Sequence, residues 1–491
     1  MALSDGESPS REKSTSKGTY SDGELKGESP TDHVVEGQIQ QDLLKRSLSA
    51  RQVQMIAIGG TIGTGLFLGT GKSLSTGGPA SMLICYGIVG AIVFVTMLSL
   101  GEMAAFIPIA GSFCSFAGRF VDDAFGFALT WNYWFNDAVS TASDLVALQL
   151  LLEFWTTKFP GWALSLIFWV ALIALNIITV RAYGEVEYWL SLLKIIMIIA
   201  FIIVGIVVNA GGNAENRYIG GENWRIPGAP IISVLLIGLN IPYNSPELTG
   251  GEGSSSKDSR TSPFTIVFKM TGAHATADIV NAVVLTSVIS AGNHALFAGA
   301  RLMYTLAMQG HAPKVFGKLN RNQVPWIAVL STSLVAGLCF GSSFIGAGQL
   351  WSWLQNLVGV SNQLSWIAIG IASIRFRAGL EKQGKTHLLP FKNWTYPYGP
   401  WASVILNSFL VLVQGWSCFS PTFDPVSFVS FYVELPVMLI MFIAWKVIKK
   451  TKIVQLDEMD LQTDVHYADH SEEGKMVGWR AKLKRAFVWL F

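Results

Sequence analysis

Four glycines fall within seven residues of the first apolar stretch: Gly59, Gly60, Gly63 and Gly65, in two tight groups separated by Thr61 and Ile62. Each glycine costs a helix roughly 1 kcal/mol relative to alanine, so the spacing predicts a helix that breaks. Irregular backbone inside a bilayer persists only where protein buries it or where it lines a cavity. A broken helix near the midplane presents free N–H groups to a carboxylate and free carbonyls to an ammonium group. That is the chemistry needed to hold both backbone ends of an amino acid. Close packing through small residues is the competing reading; the clustering of the glycines favours the break.

Ionisable residues within apolar stretches are the second signal, because charge in a bilayer is costly and is usually functional or paired. Glu102 falls toward the end of the second stretch. Asp137 and Asp144 fall in the third, seven residues apart and so on one helix face. Lys194 falls in the fifth, between Leu193 and Ile195. Asp144 suits a proton carrier or the partner of a cationic substrate. Lys194 is a candidate switchable charge in what would otherwise be a cation site. A structural ion pair, Asp144 with Lys194, is the plainer alternative for both. Asp137 is expected nearer an interface or cavity. His274 and His294 could titrate near neutral pH, although a hydrogen-bonded histidine is the simpler reading.

The elements that must position these groups are membrane helices. Of 491 residues, 51% are hydrophobic and only 14% charged, where soluble domains carry about a quarter charged residues. Stretches of about 20 apolar residues are long enough to span. Ten are expected, near 53–76, 79–106, 124–154, 162–180, 186–209, 275–308, 325–343, 347–374, 399–419 and 425–448. An eleventh apolar piece, Ile231–Ile241, has about half the length of a span. Residues 1–48 read as a disordered tail rich in Ser, Gly, Lys and Glu. Residues 49–448 form the membrane domain, and 449–491 a second tail. With the first 50 residues hydrophilic, the first span is expected to act as its own insertion signal.

Lys and Arg in the short loops set the orientation. Arg119, Arg181, Lys314, Arg321, Arg375, Arg377 and Lys382 fall on one side with Lys45, Arg46 and Arg51. Both termini are therefore expected in the cytoplasm. The sequon Asn393-Trp394-Thr395 falls on that side too, and is expected to be unmodified. The four cysteines are scattered without ligand or disulfide spacing and read as apolar fillers. A net charge of +2 does not suggest nucleic acid. The sequence carries no phosphate-binding loop, zinc motif or nucleophile elbow, so nothing in it supports an enzyme or primary pump, and no cofactor or metal is expected. No repeated pore motif suggests a channel.

Several motifs together resemble the fungal amino-acid permeases of the amino acid–polyamine–organocation superfamily. They are Arg51–Phe67 with Thr76–Ala80, Leu100–Ala104, Asn132–Phe135, Ala182–Glu187, Ser290–Asn293, Ile374–Arg377 and Glu458–Leu461. The resemblance runs from about residue 45 to 465. It implies an all-α polytopic fold of two inverted five-helix repeats plus two carboxyl-terminal helices, and proton-coupled import of amino acids at the plasma membrane. By matching position it implies that Thr61, Ile62, Gly63, Thr64 and Gly65 contact the substrate's backbone ends. It places Asp144 where permeases for lysine and arginine have an acidic residue, with Asp in place of the longer Glu. Lys194 matches a fifth-helix lysine of proton-coupled relatives, so Asp144, Lys194 and Glu102 are the proton-coupling candidates. The third helix and the tail are most similar to the basic amino-acid permeases. Ubiquitin ligase and trafficking machinery are the implied partners of the tails.

The sequence departs from the family near residues 230 and 231. After Trp224–Pro230 the pattern calls for a sixth helix and then a full seventh. Instead Ile231–Tyr243 resembles the last half of the seventh helix. The sixth helix, which supplies half of the substrate site in this fold, is missing. Losing two consecutive spans keeps every later span in its orientation, which agrees with the loop charges. Three readings stay open: an importer, a non-transporting amino-acid sensor of the same family, and an inactive product of a shortened transcript or gene model held in the endoplasmic reticulum.

Overall fold

The computed structural model describes residues 50–109, 111–156, 158–178, 180–220, 222, 240, 241, 245, 262–272, 274–419 and 422–465. The first tail, the 230/231 junction, nearly all of the Ile231–Ile241 piece and everything beyond residue 465 lie outside the described residues. Within them every regular element is a helix. This is an all-α integral membrane protein.

Helix α1 (Ala50–Thr61) ends where the glycine spacing predicts. The chain bends at Ile62 and Gly63, then re-enters a wide π-turn over Gly65–Gly69 that leads into α2 (Thr70–Phe106). Within α2, Gly78 has φ +72°, a left-handed conformation that glycine accepts without penalty, and Pro79 follows with no N–H to donate. The first and second expected spans therefore meet at Gly78 and Pro79.

The chain continues through α3 (Ser112–Phe120), α4 (Asp123–Leu152), α5 (Gly161–Ile178) and α6 (Val180–Asn209). Next come α7 (Pro263–Lys269), α8 (His274–Met308), α9 (Trp326–Ala336) and the short α10 (Ser342–Ile345). The last helices are α11 (Ala347–Lys382), α12 (Tyr398–Val413), α13 (Pro425–Tyr432) and α14 (Glu434–Lys449). Seven described helices are long and apolar enough to cross a membrane, and α13 with α14, bent by 43°, can form an eighth. Two of the ten expected spans do not pass that test. The first is divided at Ile62 and Gly63. The third is α4, which carries Asn132, Asn136, Asp137 and Asp144.

Helix α4 can be this polar because it does not face lipid. It packs against α3, α5, α8, α9, α11 and α14, and every residue from Thr141 to Leu151 is buried. The outward faces of α5, α6 and α12, by contrast, expose Ile167, Ile199, Ile203, Phe409 and Leu412. Asp122 caps the start of α4 by accepting from the Ala124 N–H at 2.9 Å.

The carboxyl-terminal tail is not free over its first residues. Val454 N–H donates to Val121 O at 3.0 Å, Arg119 pairs with Asp460 at 3.2 Å, and Met459 and Leu461 are buried. This strap, Thr451–Val465, closes over the ends of α3 and α11. Arg375 and Arg377, expected in a loop, lie instead within α11, which runs on to Lys382. Asn393 is buried, and its amide nitrogen donates to Ser99 Oγ at 3.3 Å.

Candidate functional site

The middle of α8 carries Ser290, Ala291, Gly292, Asn293 and His294 in succession. Successive residues of a helix point about 100° apart, so five in a row address every surrounding element. Here the break in α1 lies on one side, α4 and α5 on another, and α6 on a third.

Small residues bring the break close to α8. A Cβ on Gly63 would lie 3.3 Å from Ala291 Cβ, and one on Gly60 would lie 3.6 Å from the His294 ring. A Cβ on Gly292 would lie 3.3 Å from Asp144 Cβ and 3.7 Å from its Oδ2. Gly65, just past the break, faces open space: nothing lies within 4 Å of where its Cβ would be. Thr64 Oγ1 donates to Asp144 Oδ1 at 3.0 Å. The broken helix is thus tied to the buried acid of α4.

A second network ties α6 to α8. Lys194, fully buried, donates from Nζ to Ser290 Oγ at 2.9 Å. Ser290 Oγ in turn donates to Glu187 Oε2 at 2.6 Å, and Asn293 Nδ2 donates to Glu187 Oε1 at 2.7 Å. Asn176 of α5 donates to Asn293 Oδ1 at 2.8 Å. The Lys194 ammonium lies within electrostatic reach of both Glu187 and Asp144. Among the described residues, this places one lysine near two buried carboxyls. The Tyr183 hydroxyl and His294 Nδ1 are hydrogen-bonded at 2.9 Å, the hydrogen-bonded role weighed above for His294.

The other residues singled out from the sequence are distributed as follows. Ile62 is half-buried at the break. The side chains of Thr61 and His274 lie outside the described residues. Glu102 is not part of this group: it accepts from Arg377 at 2.7 and 2.9 Å and from the Asn393 N–H at 2.8 Å, and is fully buried. Asp137, expected near an interface or cavity, is buried against α8, where a Cβ on Gly299 would lie 3.0 Å from its own. The tight fit of Gly299 brings the two helices together there. Its Oδ2 has no hydrogen-bond partner among the described residues.

Four participants were not identified as site residues from the sequence: Glu187, Ser290, Asn293 and Asn176. Glu187 sits next to the start of an expected span at 186, where an acid looks like an interfacial residue. Its burial comes from α8, which sequence proximity does not reveal.

The sequence profile of the amino acid permeases matches residues 52–232 and 224–458, most of the chain. The chain belongs to the amino acid permease family. This permease is 44% identical to a probable amino-acid permease of Schizosaccharomyces pombe, over 86% of this chain and 95% of that one. It is 37% identical to the lysine-specific permease LysP of Escherichia coli, over 85% and 96%. It is 32% identical to the lysine-specific permease of Saccharomyces cerevisiae, over 86% and 79%. The permease carries its family profile as two segments that meet at residues 224–232. The alignment with the S. pombe protein runs over 491 positions, to which 86% of this permease contributes about 420 residues; on the order of 70 positions of that relative have no counterpart here. It is a transporter of amino acids and not an enzyme.

Proposed function

We propose that this permease imports amino acids with basic side chains, lysine or arginine, across the plasma membrane and couples their entry to protons. Both termini then lie in the cytoplasm, where the two tails would meet ubiquitin ligase and trafficking machinery. The observation that carries the reading is the hydrogen bond from Thr64, at the break of the first span, to the buried carboxyl of Asp144. The backbone of Ile62–Gly65 would take the substrate's carboxylate and ammonium groups. Asp144 would take a proton or the side-chain cation. Lys194, bonded to Ser290 beside Glu187, supplies the charge whose balance a proton shifts. The lysine-specific relatives support the basic preference.

A second reading rests on the junction at 224–232 and the missing positions. A chain without the sixth helix lacks the far wall of the site, and each backbone group left unpaired in lipid costs several kcal/mol. On that reading the protein is an inactive shortened product.

Uptake of labelled arginine, lysine and a neutral amino acid tests both, at acid and neutral pH, in cells lacking their own permeases. Saturable arginine or lysine uptake that rises at acid pH and is lost in Asp144→Asn supports the importer. No uptake of any substrate, with the protein at the cell surface, sinks it.

A further inference from the structure

Glu434 begins α14, separated from the end of α13 by Val433 alone, at the 43° bend of the last span. Its residue exposure is 4%, and neither carboxyl oxygen has a hydrogen-bond partner among the described residues. Pro436 lies two residues further on and brings no N–H to the carbonyl of Tyr432 one turn earlier, which helps fix the bend there.

Among the described residues, the elements packed on this span supply no compensating charge. Helix α11 presents Ser361, but Ser361 Oγ accepts from Asn132 Nδ2 at 2.8 Å and donates its one proton to Asn132 O at 3.3 Å. The charged residues of α11 (Arg375, Arg377, Glu381 and Lys382) lie at its far end, more than a dozen residues beyond Ser361. Helix α4 presents Tyr133, packed among Met438, Met441 and Phe442. Asp137 is turned to Gly299 of α8 and Asp144 to Thr64 and Gly292. Asp122 and Asp123 bind Lys446 and Trp445, eleven or twelve residues further along α14 and so roughly 17 Å away by helical rise. Beside α13, Asp424 caps that helix and Cys418 is a buried free thiol.

Among the described residues, an ionised carboxylate so placed has no cation and at most the Ser361 hydroxyl, already shared with Asn132, as a donor, and transfer of a nearly bare charge into such surroundings costs far more than taking up a proton. We infer that Glu434 is a proton-binding site at the hinge of the last span, separate from the Asp144 and Lys194 group. The site takes a proton rather than a metal or a substrate amine, because a single carboxyl with no second ligand gives neither of those a coordination shell. The inference stands whether or not the chain transports.

Carbodiimide chemistry reads such a site directly. A protonated carboxyl transfers its proton to a carbodiimide nitrogen while its oxygen bonds the central carbon. The O-acylisourea then rearranges to a stable N-acylurea, with no oxidation or reduction. The full-length protein in membranes is treated with dicyclohexylcarbodiimide or with a water-soluble carbodiimide, and the modified peptide is located by fragment mass. At about pH 7, adduct on Glu434 is expected with the apolar reagent, on the order of tenfold above that from the water-soluble one. Glu434→Asp keeps an adduct at that position and Glu434→Gln has none. Wild-type protein carries the test alone if either variant fails to fold. Absence of the adduct with the apolar reagent overturns the inference, as does equal modification by both reagents.

Discussion

Removing the cation beside Glu102 should destabilise the fold more than removing both charges together. Glu102 is fully buried and accepts two hydrogen bonds from Arg377, at 2.7 and 2.9 Å, and one from the Asn393 N–H at 2.8 Å. Arg377 also stacks over the Tyr396 ring, 4.9 Å from its centroid. Arg377→Met leaves a buried carboxylate with a single backbone donor. Breaking a buried pair in this way costs about 3–5 kcal/mol, a large part of a typical margin of about 5–15 kcal/mol. Glu102→Met leaves the guanidinium without its anion and should cost a similar amount. The double variant leaves no charge and only the Asn393 N–H without its acceptor, a loss of about 1–3 kcal/mol. The expected interaction energy is therefore several kcal/mol, well above the few tenths seen for independent sites. Unfolding of purified protein in mixed micelles, titrated with denaturing detergent, gives the four stabilities. If the two single losses simply add in the double variant, the pair is not the unit described here. If the importer reading holds, Glu102→Gln should also keep acid-stimulated uptake, since its carboxyl is bound to Arg377 and not to the Asp144 group.

Two further expectations follow from other parts of the molecule. Lys194→Met leaves Glu187 with the neutral donors Ser290 and Asn293 and no cation, so uptake rates at acid and neutral pH should converge; an undiminished acid-to-neutral ratio would remove Lys194 from the coupling. The carboxyl-terminal strap should release in acid. Burial pushes the Asp122 carboxyl up, but hydrogen bonds from Lys446, Thr451 and the Ala124 N–H outweigh it and hold it below the ordinary value. For Asp460, burial is likewise outweighed, by the N–H groups of Thr463 and Gln462 and by Arg119. A carboxyl lowered on folding stabilises above its unfolded value, and that stability fades as pH falls from about 4 toward the folded value. Pepsin should therefore cut the strap more readily at pH 2 than at pH 4 relative to an unstructured control. At neutral pH, Asp122→Asn should expose Lys450 and Lys452 to trypsin; unchanged cleavage would show that the strap does not depend on this carboxylate.

Some of this arrangement is written in local sequence. The break after Thr61 follows from glycine spacing, and the turn at Gly78 and Pro79 from two residues with known backbone limits. The importance of Asp144 and Lys194 follows from charge inside apolar stretches. What local sequence lacks is the identity of distant partners. Asp137 and Asp144 share a helix face, but their partners come from distant segments: Thr64 donates to the second, and nothing among the described residues donates to Oδ2 of the first. Glu102 resembles a proton carrier until Arg377, 275 residues away, is brought to it. Glu187 resembles an interfacial acid until Ser290 and Asn293 close over it. The strap is invisible for the same reason, because its polar residues read as tail until Arg119 and Val121 meet them.

The two networks on α8 differ in strength, and the difference bears on how the site could work. Three hydrogen bonds join α6 to α8: Glu187 accepts from Ser290 and from Asn293, and Lys194 donates to Ser290; Asn176 of α5 adds a fourth, to Asn293. Hydrogen bonds to charged groups are worth about 1.5–3 kcal/mol each, so α6 and α8 behave as one body. The break in the first span meets its neighbours through the Thr64 hydroxyl on Asp144 and through the close fit of Gly60 to the His294 ring and of Gly63 to Ala291. An arriving ammonium group would compete with one hydroxyl for Asp144, and the exchange favours the cation because a charge-assisted bond is roughly twice as strong as a neutral one. Helix α1 itself is fastened to α6, by Gln52 Nε2 on Glu185 Oε1 at 2.8 Å and by Arg51 over the Tyr188 ring at 4.7 Å, so among the described residues the segment with few side-chain ties is the break at Ile62–Gly65, which meets Asp144 of α4 through Thr64 alone.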